Sequence, residues 1–254
     1  MSQEFQIISP QTRADWFISG AGLIRKNIIG WDAKGDLPLP GIKTCLVGMY
    51  DRKYDPIAEI AEDNWARYAL RHGISLRTYP GAFHTDPSKR ETYGDKVRFS
   101  LYYDVRGIFD VVMFLDIDSV FVNINQRIEE TLQGRRFLWT YGDGGPMSGL
   151  WIARTDDMTE KHLRFAYERA AAENNTRYDK IEPNGISDQD AMAWCMNVPP
   201  FNSTFGNCVE AESVGFCFPD TTMPRPWIVT ARGGNIEEKI AALTPWLART
   251  TQPA

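Results

Sequence analysis

The chain has 254 residues, of which 43% are hydrophobic and 12% aromatic, and this is enough for one α/β domain with a substantial core. A formal net charge of -5, with no run of Lys and Arg, gives no support for a nucleic-acid partner. The N-terminus lacks a basic region followed by an apolar one, and no apolar stretch approaches membrane-spanning length, so we expect no stable membrane insertion and a cytoplasmic location.

The first regular elements are predicted after a lead-in of residues 1–40, which is expected to be irregular because it is rich in Gly and Pro. Thr44–Tyr50 is predicted to be the first buried strand. Pro56 then opens a long helix that ends at His72-Gly73, and Ile74–Tyr79 is predicted to be the second strand.

An apolar run that begins at Val111 ends abruptly in two carboxylates, Asp116 and Asp118. A continuous apolar run is typical of a strand covered on both faces, and ligands of parallel sheets bind beyond the carboxyl ends of the strands. Two hard oxygen ligands there suit Mg²⁺ or Mn²⁺ carrying a substrate's phosphates, while Ile117 points back into the core. The alternative is a strand end capped by two solvated carboxylates.

The later elements are predicted from the same patterns. We expect helices at 95–105, 155–174 and 187–196 and short strands at 137–141 and 149–153. The strand-helix-strand alternation predicts a single α/β domain, residues 41–245, with a mostly parallel central sheet flanked by helices and followed by a tail of residues 246–254.

Several segments together carry a family resemblance. They are Asn64–Ala69 with His72-Gly73, Lys96–Tyr103, Phe114–Asp118, Met147–Arg154, Ser187–Ala191, and Gly233-Gly234 with Lys239. Their order resembles a Rossmann-like GT-A glycosyltransferase of the galactosyl-, mannosyl- and xylosyltransferase group, which includes fungal mannan and plant xyloglucan enzymes. The resemblance implies transfer of a hexose from a UDP- or GDP-sugar to a saccharide, a glycolipid or another hydroxyl acceptor, with retention of configuration.

The resemblance also implies roles for individual residues. Asp116 and Asp118 would bind Mn²⁺ or Mg²⁺, which neutralises the diphosphate leaving group. Asp188 and Gln189 would face the sugar or its acceptor as catalytic residues, although the helix dipole alone also favours a carboxylate at a helix start. The implied donor site comprises Tyr50, Asp51, Lys96, Arg98, Asp116, Ser148, Gly149, Arg232, Gly233, Gly234 and Lys239.

Some of these residues have a simpler alternative. Tyr50 is equally compatible with a place in the core, and Lys96 and Arg98 with a solvated helix face. Ser148-Gly149 is equally compatible with an ordinary turn into a strand.

The segment Trp227–Gly234 departs from the family pattern, which places a metal-binding histidine shortly before the glycine. This chain has no histidine after His162, and Thr230 stands at that position. A hydroxyl is a poor substitute for imidazole, so we expect metal binding to be weaker, completed by water, or replaced by a cation such as Arg232. Backbone amides of Gly233-Gly234 and the Lys239 ammonium would still wrap the diphosphate.

Two alternatives stay open. An apolar strand followed by Asp116-x-Asp118 also matches phosphatases of the haloacid dehalogenase type, in which Asp116 would be the nucleophile and Asp118 the acid and base. That motif belongs near the first strand of its domain, whereas a strand-helix-strand unit precedes it here. The second alternative is a catalytically inactive relative that binds a nucleotide or a glycan, suggested by the missing histidine.

Overall fold

The computed structural model describes residues 16–19, 22–25, 43–50, 52–80, 108–142, 145–172 and 188–250. The strands are β1 (Trp16–Ser19), β2 (Gly22–Arg25), β3 (Thr44–Tyr50), β4 (Ser75–Pro80), β5 (Val111–Leu115), β6 (Ser119–Phe121), β7 (Phe137–Gly142), β8 (Gly145–Arg154), β9 (Cys208–Glu210), β10 (Phe216–Cys217) and β11 (Ile228–Thr230). The α-helices are α1 (Asp55–His72), α2 (Ile128–Leu132), α3 (Asp157–Ala172), α4 (Asp188–Cys195), α5 (Asn202–Phe205) and α6 (Ile236–Thr250).

The central sheet has the strand order β4-β3-β5-β8-β7-β9. β3 pairs in parallel with β4 and β5, and β7 pairs in parallel with β9, whereas β8 runs antiparallel to β5 and β7. The carboxyl ends of β3, β4 and β5 therefore meet at one edge of the sheet, and β8 begins at that same edge. The mostly parallel central sheet predicted from the sequence is confirmed.

Helix α1 forms where the sequence predicts it. Pro56 lies in its first turn, where the missing N–H of proline costs nothing. Gly73 ends the helix in the left-handed conformation, at φ 62°, and its N–H faces the carbonyls of Ala69 and Leu70. The polypeptide then turns directly into β4, which places α1 beside the sheet.

Both faces of the sheet are buried, as the apolar run in β5 predicts. Met113 and Leu115 pack in a cluster with residues of α1, whereas Val112 and Phe114 pack in a second cluster with residues of α3 and α4. Ile117 is 6% exposed and belongs to the first cluster, so its predicted inward orientation is confirmed.

A second, three-stranded sheet follows Asp118 and was not predicted. Its order is β10-β11-β6, with β11 antiparallel to β6. Leu243 and Trp246 of α6 are buried in a cluster with Val120 and Val229 of this sheet. Helix α6 continues to Thr250, so its last turn lies within the predicted tail, residues 246–254.

The predicted irregular lead-in contains an antiparallel pair of strands, β1 with β2, that the sequence did not indicate. The predicted helix at 95–105 lies outside the described residues. In the ranges that the structure describes, no helix is both long and apolar enough to cross a membrane.

Candidate functional site

Asp116 leaves the carboxyl end of β5 directly against the start of β8. Its backbone N–H donates to the carbonyl of Gly149 at 2.9 Å. A Cβ on Gly149 would lie 2.8 Å from Asp116 Oδ2, so the absence of a side chain makes room for this carboxylate. The structure therefore brings Asp116 and Gly149, two of the residues predicted for the donor site, into contact.

The pairing of β7 with β8 changes register beside Asp116. Trp139 of β7 pairs with Trp151, but the next residue, Thr140, pairs with Met147, so β7 skips residues 148–150 of β8. Such irregularities occur next to functional sites, because they turn backbone groups away from the ladder. The Ser148 N–H points instead to Gln189 Oε1 of α4, at 3.4 Å. Ser148 and Gln189, both predicted site residues, are thus in contact.

Asp118 contacts β11, the residue that follows β11, and α6. Its backbone carbonyl accepts the Ala231 N–H at 2.8 Å, and the Thr230 hydroxyl lies 3.5 Å from its Oδ1. The ammonium of Lys239 forms an ion pair with its Oδ2. The Asp118 and Lys239 side chains are 17% and 13% exposed, so this pair is shielded from most of the solvent.

The position of Lys239 follows from how α6 begins. Asn235 Oδ1 accepts the Glu238 N–H, and Glu238 Oε2 accepts the Asn235 N–H, each at 2.9 Å. This reciprocal pair is a capping box, which fixes the first turn of a helix. Gly233 and Gly234 adopt left-handed φ values of 55° and 74° just before it. Lys239 therefore starts from an ordered first turn.

Two side chains of α1 form hydrogen bonds with the segment that follows Asp118. Asn64 accepts the Phe121 N–H at 2.7 Å and donates to the Phe121 carbonyl at 2.9 Å, so it pairs with β6 as a strand would. Trp65 donates its indole N–H to the Ser119 carbonyl at 2.9 Å. Both side chains are buried, and they fix the backbone immediately beyond Asp118.

Two further side chains on the same face of α1 contact the backbone after β6. The Tyr68 hydroxyl donates to the Gln126 carbonyl at 2.8 Å, and the His72 ring lies 2.8 Å from the Ile124 carbonyl. Burial raises the pKa of Tyr68 and lowers the pKa of His72, so both side chains stay neutral near pH 7. Asn64, Tyr68 and His72 recur every four residues; they belong to the segments that carry the family resemblance, but the sequence did not indicate these contacts.

The two tyrosines that flank the end of β3 lie in different surroundings. Tyr50 is 7% exposed, and its hydroxyl donates to Glu62 Oε1 at 3.2 Å inside the core. The Tyr54 ring instead lies 5.9 Å from Lys239 Nζ and 5.1 Å from Lys53 Nζ. Tyr54, which the sequence did not single out, is therefore an aromatic residue close to the Asp118–Lys239 pair. The donor role of Tyr50 stays a prediction.

The other predicted site residues are placed as follows. Arg232 is exposed, and its guanidinium lies 3.8 Å from the centre of the Phe218 ring. Asp188 begins α4, but its side chain is not among those described. Asp51, Lys96 and Arg98 lie outside the described residues.

The side chains around Asp118 determine how well a divalent cation fits at this site. Among the described residues, no group of three His, Cys, Asp or Glu side chains is arranged to hold a metal. Asp118 already carries the Lys239 ammonium on one carboxylate oxygen, and Thr230 offers only a hydroxyl. A divalent ion would compete with that ammonium, so these residues do not fit a resident metal. The predicted Mn²⁺ or Mg²⁺ stays a prediction.

Comparisons with known proteins support the fold. Neither the protein-family models nor the curated proteins contain a match to this chain. A solved glycosyltransferase involved in the glycosylation of the major capsid of PBCV-1 is similar over 80% of this chain and 99% of its own, with 14% identity and a TM-score of 0.56. The solved structure of the galactosyltransferase LgtC is similar over 83% of this chain and 97% of its own, with 13% identity and a TM-score of 0.47. The predicted fold class, a single α/β domain of the GT-A glycosyltransferase type, is confirmed.

Proposed function

We propose that this chain is a glycosyltransferase that moves a hexose from a UDP- or GDP-sugar to a saccharide, a glycolipid or another hydroxyl acceptor. The supporting observation is the contact of Asp116 with Gly149 at the carboxyl edge of the sheet, with Ser148 and Gln189 beside it. Ligands of such sheets bind at this edge. The likeness of the fold to a solved glycosyltransferase is consistent with this proposal.

The proposed donor site follows the edge of the sheet. Asp116, Ser148 and Gly149 contact the ribose and the sugar, and Asp188 and Gln189 face the sugar and the acceptor. Gly233, Gly234 and Lys239 contact the diphosphate, whereas Tyr50, Asp51, Lys96, Arg98 and Arg232 are expected to complete the donor site. The contact with Gly149 fixes the position of the Asp116 carboxylate, which faces the sugar in this proposal.

The proposed reaction retains the configuration at the anomeric carbon. The bond from that carbon to the β-phosphate oxygen breaks, and a bond from the same carbon to the acceptor oxygen forms on the same face. The leaving phosphate oxygen takes the proton of the acceptor hydroxyl, so no separate base is needed.

The phosphatase alternative has less support. It requires Asp118 to exchange a proton as acid and base, but the Asp118 carboxylate already forms an ion pair with the Lys239 ammonium. The strand in front of Asp116 is also flanked by antiparallel β8, in a fold similar to a glycosyltransferase. The alternative of an inactive relative predicts nucleotide or glycan binding without turnover, so only a measurement of turnover distinguishes it from the proposal.

One assay tests the proposal. Purified protein is incubated with UDP-, GDP- and CDP-sugars, with and without Mn²⁺, and release of the nucleoside diphosphate is measured alongside hydrolysis of p-nitrophenyl phosphate. Release from one donor, increased by an added saccharide acceptor, is the expected result. Phosphate release from p-nitrophenyl phosphate alone would favour the phosphatase, and nucleotide binding without release would favour the inactive relative.

A further inference from the structure

We infer that the ammonium of Lys239 takes the place of a divalent cation at this site, so that the donor diphosphate binds without metal. The inference rests on the proposed function and names the cation of that same site. It begins from the contact between Lys239 Nζ and Asp118 Oδ2, two side chains that are each more than four-fifths buried.

The first step is the competition for Asp118. A metal at the paired carboxylates would have to share Asp118 with the ammonium, and two cations on one carboxylate repel each other. Thr230 and Lys239 are the other described side chains that contact the Asp118 carboxylate, and neither an alcohol nor an ammonium is a good ligand for Mg²⁺ or Mn²⁺. The surroundings of Asp118 therefore suit a lysine better than a metal.

The second step is the capacity of Lys239 to hold phosphate. An ammonium group has three N–H donors, and the bond to Asp118 uses one of them. Charge-assisted hydrogen bonds to phosphate oxygens are among the stronger ones in proteins, and lysine is a common phosphate ligand. The capping box of α6 fixes the backbone from which Lys239 extends, so its ammonium is positioned before the donor arrives.

The third step is the local charge. Asp116 and Asp118 alone would repel a diphosphate, but the ammonium groups of Lys239 and Lys53 lie 5.9 and 5.1 Å from the centre of the Tyr54 ring. The two carboxylates and two ammonium groups sum to zero. Among the described residues, these two lysines therefore offset the carboxylate charge that would repel a diphosphate.

The first experiment needs no variant. Binding of UDP, GDP, CDP and ADP to the intact chain is measured by titration calorimetry in excess EDTA and again in excess Mn²⁺. We expect one nucleoside diphosphate to bind with affinities that agree within about threefold in the two conditions, a difference under ~1 kcal/mol. Binding that appears only with Mn²⁺ would overturn the inference and leave the proposed function standing. Binding in neither condition would overturn both.

The second experiment separates phosphate binding from a structural role. Lys239→Met keeps the aliphatic stem and removes the charge, and Lys161→Met makes the same change at an exposed site on α3. In EDTA, Lys239→Met should weaken binding of the nucleoside diphosphate by about 10- to 100-fold, with a smaller effect on the matching nucleoside and an unchanged affinity in Lys161→Met. Equal losses for diphosphate and nucleoside, or no loss, would contradict the inference.

Discussion

The carboxylate of Asp116 lies against the α-carbon of Gly149, 2.8 Å from the position that a Cβ would take. The two residues are also joined by the bond from the Asp116 N–H to the Gly149 carbonyl, at 2.9 Å. Strand β5 and the skipped segment of β8 are therefore in contact through both backbone and side chain. The orientation of the Asp116 carboxylate depends on the absence of a side chain at position 149.

Gly149→Ala should displace this carboxylate with little loss of stability. The added methyl group meets the end of a short side chain that can rotate, so we expect the free energy of unfolding to fall by less than about 1 kcal/mol. The displaced carboxylate should lower kcat/KM for the sugar donor by about 10- to 100-fold. Gly142→Ala, in the same hairpin, is the control, because among the described residues its Cβ meets the flexible end of the Met147 side chain, at 3.3 Å. Equal activity in the two variants would contradict a role for Asp116.

Asp118→Asn tests the ion pair with Lys239. The amide keeps the volume of the side chain but leaves a shielded ammonium without its carboxylate, so stability should fall by about 1 to 3 kcal/mol. Transfer should fall by about 10- to 100-fold, because Lys239 is no longer held in place. Denaturant unfolding and donor kinetics measure the two effects.

A double-mutant cycle gives the control for Asp118→Asn. When Lys239→Met is already present, Asp118→Asn no longer leaves an unpaired cation, so the double variant should be more stable than the sum of the single effects predicts, by about 0.5 to 3 kcal/mol. Strictly additive losses would show that the pair does not contribute to stability.

The parts of the fold that depend on local patterns were predicted well. The apolar run of β5, the Pro56 and Gly73 signals of α1, and the strand β7 are each visible in a short stretch of sequence, whereas β8 begins at Gly145 rather than at the predicted residue 149. The short strands β6, β10 and β11 were missed, because two- or three-residue strands carry too little periodicity and are defined by their pairing partners.

The sequence singled out residues that the structure brings into contact, but it did not indicate which residues contact each other. Asp116 with Gly149, and Asp118 with Lys239, were each singled out from the sequence. The contact of the Ser148 amide with Gln189 depends on the register change between β7 and β8. The proximity of Tyr54 to Lys239 depends on how α6 packs in the fold. Contacts of this kind are set by tertiary packing, which no local pattern encodes.

Asn64→Leu should destabilise the protein strongly. The side chain keeps nearly the same shape, but the buried N–H and carbonyl of Phe121 lose their partner, at about 1 to 3 kcal/mol for each unsatisfied group. Asn64→Asp retains the acceptor for the Phe121 N–H and should fall between the wild type and Asn64→Leu. Urea unfolding measures the series, and Asn197→Leu, at an exposed position, is the control. A stable Asn64→Leu would show that the Phe121 groups find other partners.

His162 should make the stability of the protein depend on pH. Its side chain is 0% exposed, its Nδ1 lies 2.7 Å from Thr204 Oγ1, and its Nε2 has no hydrogen-bond partner in the chain as far as the structure describes it. Burial lowers the pKa of His162, so the folded state disfavours the proton that the unfolded state accepts. The stabilising contribution is therefore complete above the unfolded pKa of about 6.5 and is lost as the pH falls below it.

The free energy of unfolding should thus fall as the pH is lowered from about 7.5 towards 5.5, by at most about 1.4 kcal/mol per pH unit for this one group. His162→Asn retains an amide where Nδ1 meets Thr204 but does not titrate, so it should unfold with a flatter pH dependence, even though its smaller side chain lowers stability at every pH. His72 contributes in the same direction, because burial also lowers its pKa, and His72→Gln should flatten the curve further. Urea titrations at each pH measure the slopes. A His162→Asn curve parallel to that of the wild type would show that His162 does not change its protonation on unfolding.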